Sequence, residues 1–135
     1  MYSYSIVIPA FERLKELKLT INNVLVQSIK PLEVIVVNNN TDNKERSNLK
    51  NYINSLNNYD IPFFHIYSPT NSGAIARNIG AKKARGDYIF FLDSDVLLDI
   101  DYAKNILDIF REDQSVVGAQ GIDLILQKIY EKKKK

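Results

Sequence analysis

Two aspartates, separated by one small residue, come directly after an apolar stretch of the chain. Asp93 and Asp95 follow Tyr-Ile-Phe-Phe-Leu at residues 88–92, a composition that predicts a buried strand. Left unpaired, the two carboxylates would repel each other and resist desolvation. Mg²⁺ and Mn²⁺ are held by one or two carboxylates, and substrate phosphates complete their shell. The spacing therefore favours a divalent-metal site, with capping of a following helix by Ser94 or Asp95 as the alternative.

Two other unusual clusters also follow predicted strands. Pro-Ala-Phe at residues 9–11 ends the first strand, and three asparagines at residues 38–40 follow the second. Ligands of open α/β sheets bind beyond the carboxyl ends of the strands, and parallel strands place those ends on one edge. Taken alone, the asparagines are typical of a turn and Phe11 of a core position. The shared edge predicts a binding site.

Strands and helices alternate along the remaining sequence. Apolar, β-branched runs predict strands at residues 5–8, 32–37, 62–67 and 88–92, with a short strand at 116–119. Helical spacing of apolar residues predicts helices at about 13–28, 49–56, 74–84, 103–110 and 122–130. Asp42 and Glu45 form an N-cap signature before the second helix. This alternation predicts an α/β fold with a mainly parallel, doubly wound sheet.

Composition sets the class of protein. The 135 residues suit one domain, and a net charge of +2 gives no reason to expect a nucleic-acid partner. The sequence has no cysteine, which excludes disulfide and thiolate chemistry. It shows neither a signal peptide nor a membrane span, so we expect a cytoplasmic location. The lysines at 132–135 are read as a frayed end, with peripheral contact to the inner face of a membrane as the alternative.

Together these motifs resemble the family-2 glycosyltransferases from about Ser3 to Gln120. The segments that carry the resemblance are SIVIPAF at 5–11, VIVVNNNTD at 34–42, NSGAIARNIG at 71–80, ARGDYI at 84–89 and FLDSD at 91–95. The resemblance implies the GT-A fold, a nucleotide-diphosphate-sugar donor, most commonly a UDP-sugar, and Mn²⁺ or Mg²⁺ as cofactor. It divides the chain into a donor-binding domain at 1–121 and an amphipathic tail at 122–135.

The resemblance also assigns roles around the nucleotide. Phe11 matches an aromatic residue that packs on the base, and Pro9 and Ala10 lend backbone contacts. Asn38 and Asn39 stand where the family usually has two aspartates, and Asn39 matches the one that accepts the base N–H, commonly of uracil. An asparagine oxygen also accepts a hydrogen bond, but without the charge.

The remaining matches concern the diphosphate. Arg77 matches a position near the nucleotide, Asp93 a carboxylate near the ribose and the metal-bound waters, and Asp95 the direct metal ligand. His65 is assigned no role. The half of the family that binds the acceptor and supplies the catalytic base would follow Gly121, so no residue is assigned as the base and the acceptor, a glycan or a lipid-linked group, stays open.

We therefore expect a glycosyltransferase-type donor-binding domain, and the alternative is a non-catalytic nucleotide-binding or interaction module. The absence of glycine after the first strand argues against a nucleotidyltransferase and a dinucleotide-binding oxidoreductase. An uncovered apolar face of the sheet would favour a homo-oligomer, or packing of the tail helix over the gap.

Overall fold

A four-stranded parallel sheet forms the centre of the computed structural model, which describes residues 2–122. Helices alternate with the strands, as the sequence pattern predicts. The elements are β1 (Tyr4–Ala10), α1 (Leu14–Leu25), β2 (Glu33–Asn38), α2 (Asn43–Asn54), β3 (Phe63–Tyr67), α3 (Gly73–Lys83), β4 (Tyr88–Phe91) and α4 (Tyr102–Glu112).

The order in which successive strands join the sheet reverses at β1, at the edge where the sequence predicts a binding site. The sheet has the order β3-β2-β1-β4, and every pairing is parallel. The chain steps outward from β1 to β2 and β3, then returns through α3 to β4 on the other side of β1. In open α/β sheets, ligands bind at such a reversal, beyond the carboxyl ends of the strands. The predicted doubly wound parallel sheet is confirmed.

The two central strands are buried on both faces, which explains their nearly continuous apolar sequence. On one face, side chains such as Ile8 and Val36 pack against α1, α2 and α4. On the other face, Val7 and Ile35 pack against Ala76 of α3. Helices therefore cover both faces of the sheet at β1 and β2.

Small residues let α3 lie close to the sheet. A Cβ atom at Gly80 would overlap the side chain of Val7, and Ala76 is fully buried one turn earlier. This close packing brings the amino-terminal end of α3 to the carboxyl edge of the sheet, where its backbone N–H groups are oriented for anions.

The Asp42 cap is confirmed, because its carboxylate accepts a hydrogen bond from the Glu45 backbone N–H at 3.0 Å. The helix predicted from residue 13 is shorter, because Arg13 has a left-handed backbone and the helix ends at Leu25. Apart from its first residue, the predicted tail helix at 122–130 lies outside the described residues, as do the four terminal lysines.

The prediction of a short strand at 116–119 is wrong. Val116 donates its backbone N–H to the Asp113 carbonyl in a turn, and the residues that follow pair with no strand in the described part of the chain. The segment instead lines a cavity of 780 Å³ beside β4 and α4. Ile89 and Phe91 of β4 also line this cavity and are 38% and 51% exposed. They lie on the face of the sheet that packs against α3 at β1 and β2.

Candidate functional site

An ion pair joins the loops that follow β1 and β4, where the strand order of the sheet reverses. Nη1 of Arg13, which follows β1, lies 2.9 Å from Oδ2 of Asp95, which follows β4. Both side chains are well exposed to solvent, at 63% and 43%. Asp95 therefore has a positive partner within the protein, an arginine from the turn that follows the neighbouring strand.

A second arginine meets the other carboxylate from the opposite face of the sheet. Nη2 of Arg77 in α3 lies 2.9 Å from Oδ1 of Asp93. A Cβ atom at Gly73 would approach Nη1 of Arg77 to 3.1 Å, so glycine at the start of α3 leaves room for this side chain. The Asp-x-Asp pair is thus held between two guanidinium groups. Neither Ser94 nor Asp95 caps a helix, because the next helix begins at Tyr102.

The loop that carries the aspartates is fastened to α1 by side chains that bond its backbone. Oγ1 of Thr20 lies 3.0 and 2.9 Å from the carbonyl oxygens of Ser94 and Val96. The Asn23 amide donates to the Leu98 carbonyl at 3.0 Å and accepts from the Leu98 N–H at 2.7 Å.

Gln27 continues this row beyond the end of α1. Its amide donates to the Asp99 carbonyl at 2.7 Å and accepts from the Ala103 N–H at 3.2 Å. The spacing of 20, 23 and 27 follows one side of a helix. This polar row was missed from the sequence, although its helical period could have shown that one side of α1 is not purely apolar.

Asn39 presents a buried oxygen that lacks a hydrogen-bond donor. Its side chain is only 4% exposed, and its Nδ2 lies 3.4 Å from the Ser72 carbonyl oxygen. That contact fixes the orientation of the amide, since only the nitrogen can donate. The opposite atom, Oδ1, is buried and has no hydrogen-bond partner among residues 2–122. Buried polar atoms are almost always paired, so this oxygen calls for a partner that the described residues do not supply.

The other two asparagines bond to the protein itself. Oδ1 of Asn38 accepts from the backbone and side-chain N–H groups of Asn40, at 3.1 and 3.0 Å. Nδ2 of Asn38 donates to the Arg46 carbonyl at 3.1 Å and lies 3.0 Å from Nε2 of His65. The ring nitrogen must therefore accept, which requires neutral histidine. Burial, reinforced by the charges of Lys50 and Arg46, lowers the pKa of His65.

Asn40 links the ends of β1 and β2. Its Oδ1 accepts the backbone N–H of Glu12 at 2.6 Å. Glu12 and Arg13, with φ angles of 52° and 48°, are the only non-glycine residues with positive φ among residues 2–122. The turn that follows β1 therefore has a left-handed backbone, and the hydrogen bond from Glu12 to Asn40 ties it to the loop that follows β2. Sequence reasoning read Asn40 as part of a turn and did not find this contact.

The predicted nucleotide contacts of β1 lie at the same edge. Pro9 and Ala10 are the last residues of β1 and pair in register with Val37 and Asn38. Phe11 follows them and is 37% exposed, so it is not a core residue. The structure thus brings these residues, Asn39, Arg77 and the two aspartates to one edge, whereas the Asn38 side chain is fully buried and turned into the fold.

The donor groups at this edge suit a hard divalent cation that shares its shell with a ligand. Among the described residues, no group of three or more histidine, cysteine, aspartate or glutamate side chains is arranged to hold a metal. Asp93 and Asp95 offer carboxylate oxygens only. Mg²⁺ and Mn²⁺ typically bind through one or two carboxylates and complete their octahedral shell with phosphate oxygens and water.

The charges at the opposite edge of the sheet have a different role. Glu33 is 1% exposed and accepts hydrogen bonds from Oγ of Ser5 at 2.8 Å and from the backbone N–H of Arg85 at 2.7 Å. Burial alone would raise the pKa of Glu33, but these bonds and the Arg85 guanidinium lower it overall. The Ala-Arg-Gly-Asp motif before β4 therefore stabilises the sheet and lies away from the site.

Comparison with known proteins agrees with this geometry. The model of the family described as "Glycosyl transferase family 2" matches residues 5–135. The chain belongs to glycosyl transferase family 2. The resemblance found in the sequence motifs is confirmed. In the described part of this family-2 chain, none of the helices has the length and apolar character needed to cross a bilayer.

Three relatives illustrate the similarity. Poly(ribitol-phosphate) beta-N-acetylglucosaminyltransferase TarP of Staphylococcus aureus strain N315 is 27% identical over 91% of this chain and 38% of its own length. S. aureus TarS 1–349, solved in complex with UDP-GlcNAc, is 24% identical, with a TM-score of 0.64 over 90% of this chain and 37% of that one. Mannosyltransferase PcManGT of Pyrobaculum calidifontis, solved with GDP-Man and Mn²⁺, is 18% identical, with a TM-score of 0.69 over 81% and 32%.

The two structural comparisons establish the GT-A fold for this family-2 chain. The chain spans less than half the length of the curated relatives it matches.

Proposed function

We propose that residues 1–121 form the donor-binding domain of a glycosyltransferase that uses a nucleotide-diphosphate sugar, with a uracil nucleotide as the favoured donor. The unpartnered Oδ1 of Asn39 carries this proposal. It is a buried acceptor oriented by the Ser72 contact, and the Asn39 backbone N–H donates to the carbonyl of Ala10, the residue before the partly exposed Phe11, at 2.8 Å. Uracil offers a ring N–H at its edge, and an aromatic face offers a surface on which the base can stack.

The diphosphate would lie toward β4. The guanidinium of Arg77 and the amino-terminal end of α3 supply positive potential there. Asp95, with Asp93 beside it, would hold Mn²⁺ or Mg²⁺. When bound, such a cation neutralises the charge that grows on a departing nucleotide diphosphate.

The chain's own residues then do two things. Phe11 and Asn39 bind and orient the base, with backbone contacts from Pro9 and Ala10. Asn38 stabilises the loop that follows β2, because its side-chain amide forms hydrogen bonds with Arg46 and Asn40. Transfer of the sugar to an acceptor hydroxyl needs a base that we do not assign to any residue of this chain. The segment 122–135 is proposed to be a tail separate from the donor site.

The base edge gives a direct test. UDP and CDP have the same shape, but cytosine carries an acceptor where uracil carries the N–H that Asn39 would receive. Isothermal titration with Mn²⁺ present should show UDP binding at least about tenfold more tightly than CDP, the factor that corresponds to ~1.4 kcal/mol. Equal affinities for the two nucleotides would contradict the assignment of Asn39, and absence of binding by both would contradict the donor site.

A further inference from the structure

Arg13 occupies its position at an energetic cost. Its backbone is left-handed, a conformation that costs a non-glycine residue of order 1 kcal/mol or more. It also stands at the N-cap of α1, where its side chain forms no capping hydrogen bond. Asparagine would suit this backbone better, because it tolerates the left-handed region.

The ion pair does not explain this cost. Arg13 and Asp95 are both well exposed, and exposed pairs contribute little to stability. The Glu12–Asn40 hydrogen bond, at 2.6 Å, holds the turn in place from the neighbouring strand. A strained, externally supported residue that contributes little to stability is best explained by a role toward a ligand.

The charges at the carboxyl edge of the sheet indicate which ligand Arg13 would bind. Arg13 and Arg77 balance Asp95 and Asp93 one for one. A cation bound to Asp95 would neutralise the negative charge that attracts Arg13. The exposed ion pair is weak, so it would break at little cost in free energy. The flexible side chain of Arg13 would then be free, on a fixed backbone, beside the same cation. Its planar fork of donors suits phosphate oxygens.

We propose that Arg13 pairs with Asp95 until a divalent cation binds that carboxylate, and then turns its guanidinium to the diphosphate of the donor. Arg13 is thus a diphosphate-binding residue that becomes available only together with the metal. This inference rests on the donor site proposed above, whose independent sign is the unpartnered oxygen of Asn39.

The test compares the full chain with its Arg13→Asn variant. UDP affinity is measured by titration calorimetry in Mn²⁺ and again in EDTA, and the melting temperature is recorded for both proteins. The melting temperature of the variant should be equal to or higher than that of the parent, since asparagine tolerates the left-handed backbone better than arginine does. Its UDP affinity should fall threefold or more in Mn²⁺ and by less than half that factor in EDTA, where Arg13 of the parent is still bound to Asp95.

Arg111→Asn is the matched control. Arg111 also forms an exposed ion pair, at 2.9 Å from Asp108, but it lies at the end of α4. It should leave UDP affinity unchanged in both conditions. The proposal is overturned if Arg13→Asn loses less than threefold in Mn²⁺, or if the loss in EDTA reaches half the loss in Mn²⁺, as a general charge effect would produce. If the parent binds UDP in neither condition, the donor site itself fails and this inference fails with it.

Discussion

The amide nitrogen of Asn39 faces the carbonyl oxygen of Ser72 at 3.4 Å, and this contact turns the amide oxygen into a buried position without a donor. The Ser72 carbonyl does not depend on this contact, because it also accepts the backbone N–H of Ala76 at 3.0 Å. The amide of Asn39 therefore contributes little to the fold, and it leaves one buried acceptor unpaired among the described residues.

This arrangement predicts opposite effects of Asn39→Leu on stability and on binding. Leucine has a similar shape and removes a buried oxygen that has no partner, so the free energy of unfolding should stay equal or rise. UDP affinity should fall about tenfold, since the acceptor for the base N–H is lost. Urea unfolding and calorimetric titration measure the two quantities. Asn39→Asp keeps an acceptor and should preserve UDP binding, whereas unchanged UDP affinity in Asn39→Leu would refute the role of Asn39.

The attachment of the aspartate loop to α1 makes a second prediction. Asn23→Ala removes both hydrogen bonds to the Leu98 backbone and leaves those groups without their partner. We expect a loss of about 2 kcal/mol in the free energy of unfolding, together with weaker Mn²⁺-dependent binding of UDP.

Asn22→Ala is the control for this loss. Asn22 is the preceding residue of the same helix and is exposed, so the two variants share the same gain in helix propensity. Asn22→Ala should change the stability by less than about 0.5 kcal/mol. Equal effects of the two substitutions would show that Asn23 does not anchor the loop.

Protonation of His65 should weaken the asparagine network. The chain has a single histidine, and its Nε2 accepts from the Asn38 amide only when the ring is neutral. Burial and the facing charges of Lys50 and Arg46 lower the pKa of His65 from 6.5. As the pH falls, His65 is therefore protonated in the unfolded chain at a higher pH than in the folded chain. The free energy of unfolding decreases as the pH falls from above 6.5 through the lower pKa of the folded state.

Replacement of this ring by an acceptor that does not titrate tests the pH dependence. His65→Gln should keep an oxygen for Asn38 and should lose less stability than the parent between pH 7 and about pH 5, as measured by thermal unfolding. Parallel stability curves for the two proteins over that interval would show that His65 does not contribute.

The sequence was informative where periodicity and strand order decide the structure. Continuous apolar runs at residues 34–37 and the small-residue helix containing Ala76 and Gly80 correspond to a strand buried on both faces and a helix in close contact with it. Parallel strands then brought three separate motifs to one edge, as the alternation predicts. The strand expected at 116–119 failed because β-branched residues form a strand only where a partner edge meets them.

The missing details depend on contacts between distant residues. Neither the Arg13–Asp95 pair nor the link from Asn40 to Glu12 follows from local propensity, because each joins loops that follow different strands. Positive φ at Glu12 and Arg13 runs against the preference of both residues, so no local rule predicts the left-handed turn. Such conflicts between local preference and structure are expected at functional sites.

The most direct measurement is the dependence of UDP affinity on Mn²⁺, determined by calorimetry for the parent chain and for Asp95→Asn. Asparagine preserves the shape of the side chain and removes the charge that a divalent cation requires, and circular dichroism verifies that the variant is folded. We expect Mn²⁺ to raise UDP affinity at least about tenfold in the parent and by less than twofold in Asp95→Asn. UDP binding that ignores Mn²⁺ in the parent, or an equal rise in both proteins, would contradict the assignment of the metal to Asp95.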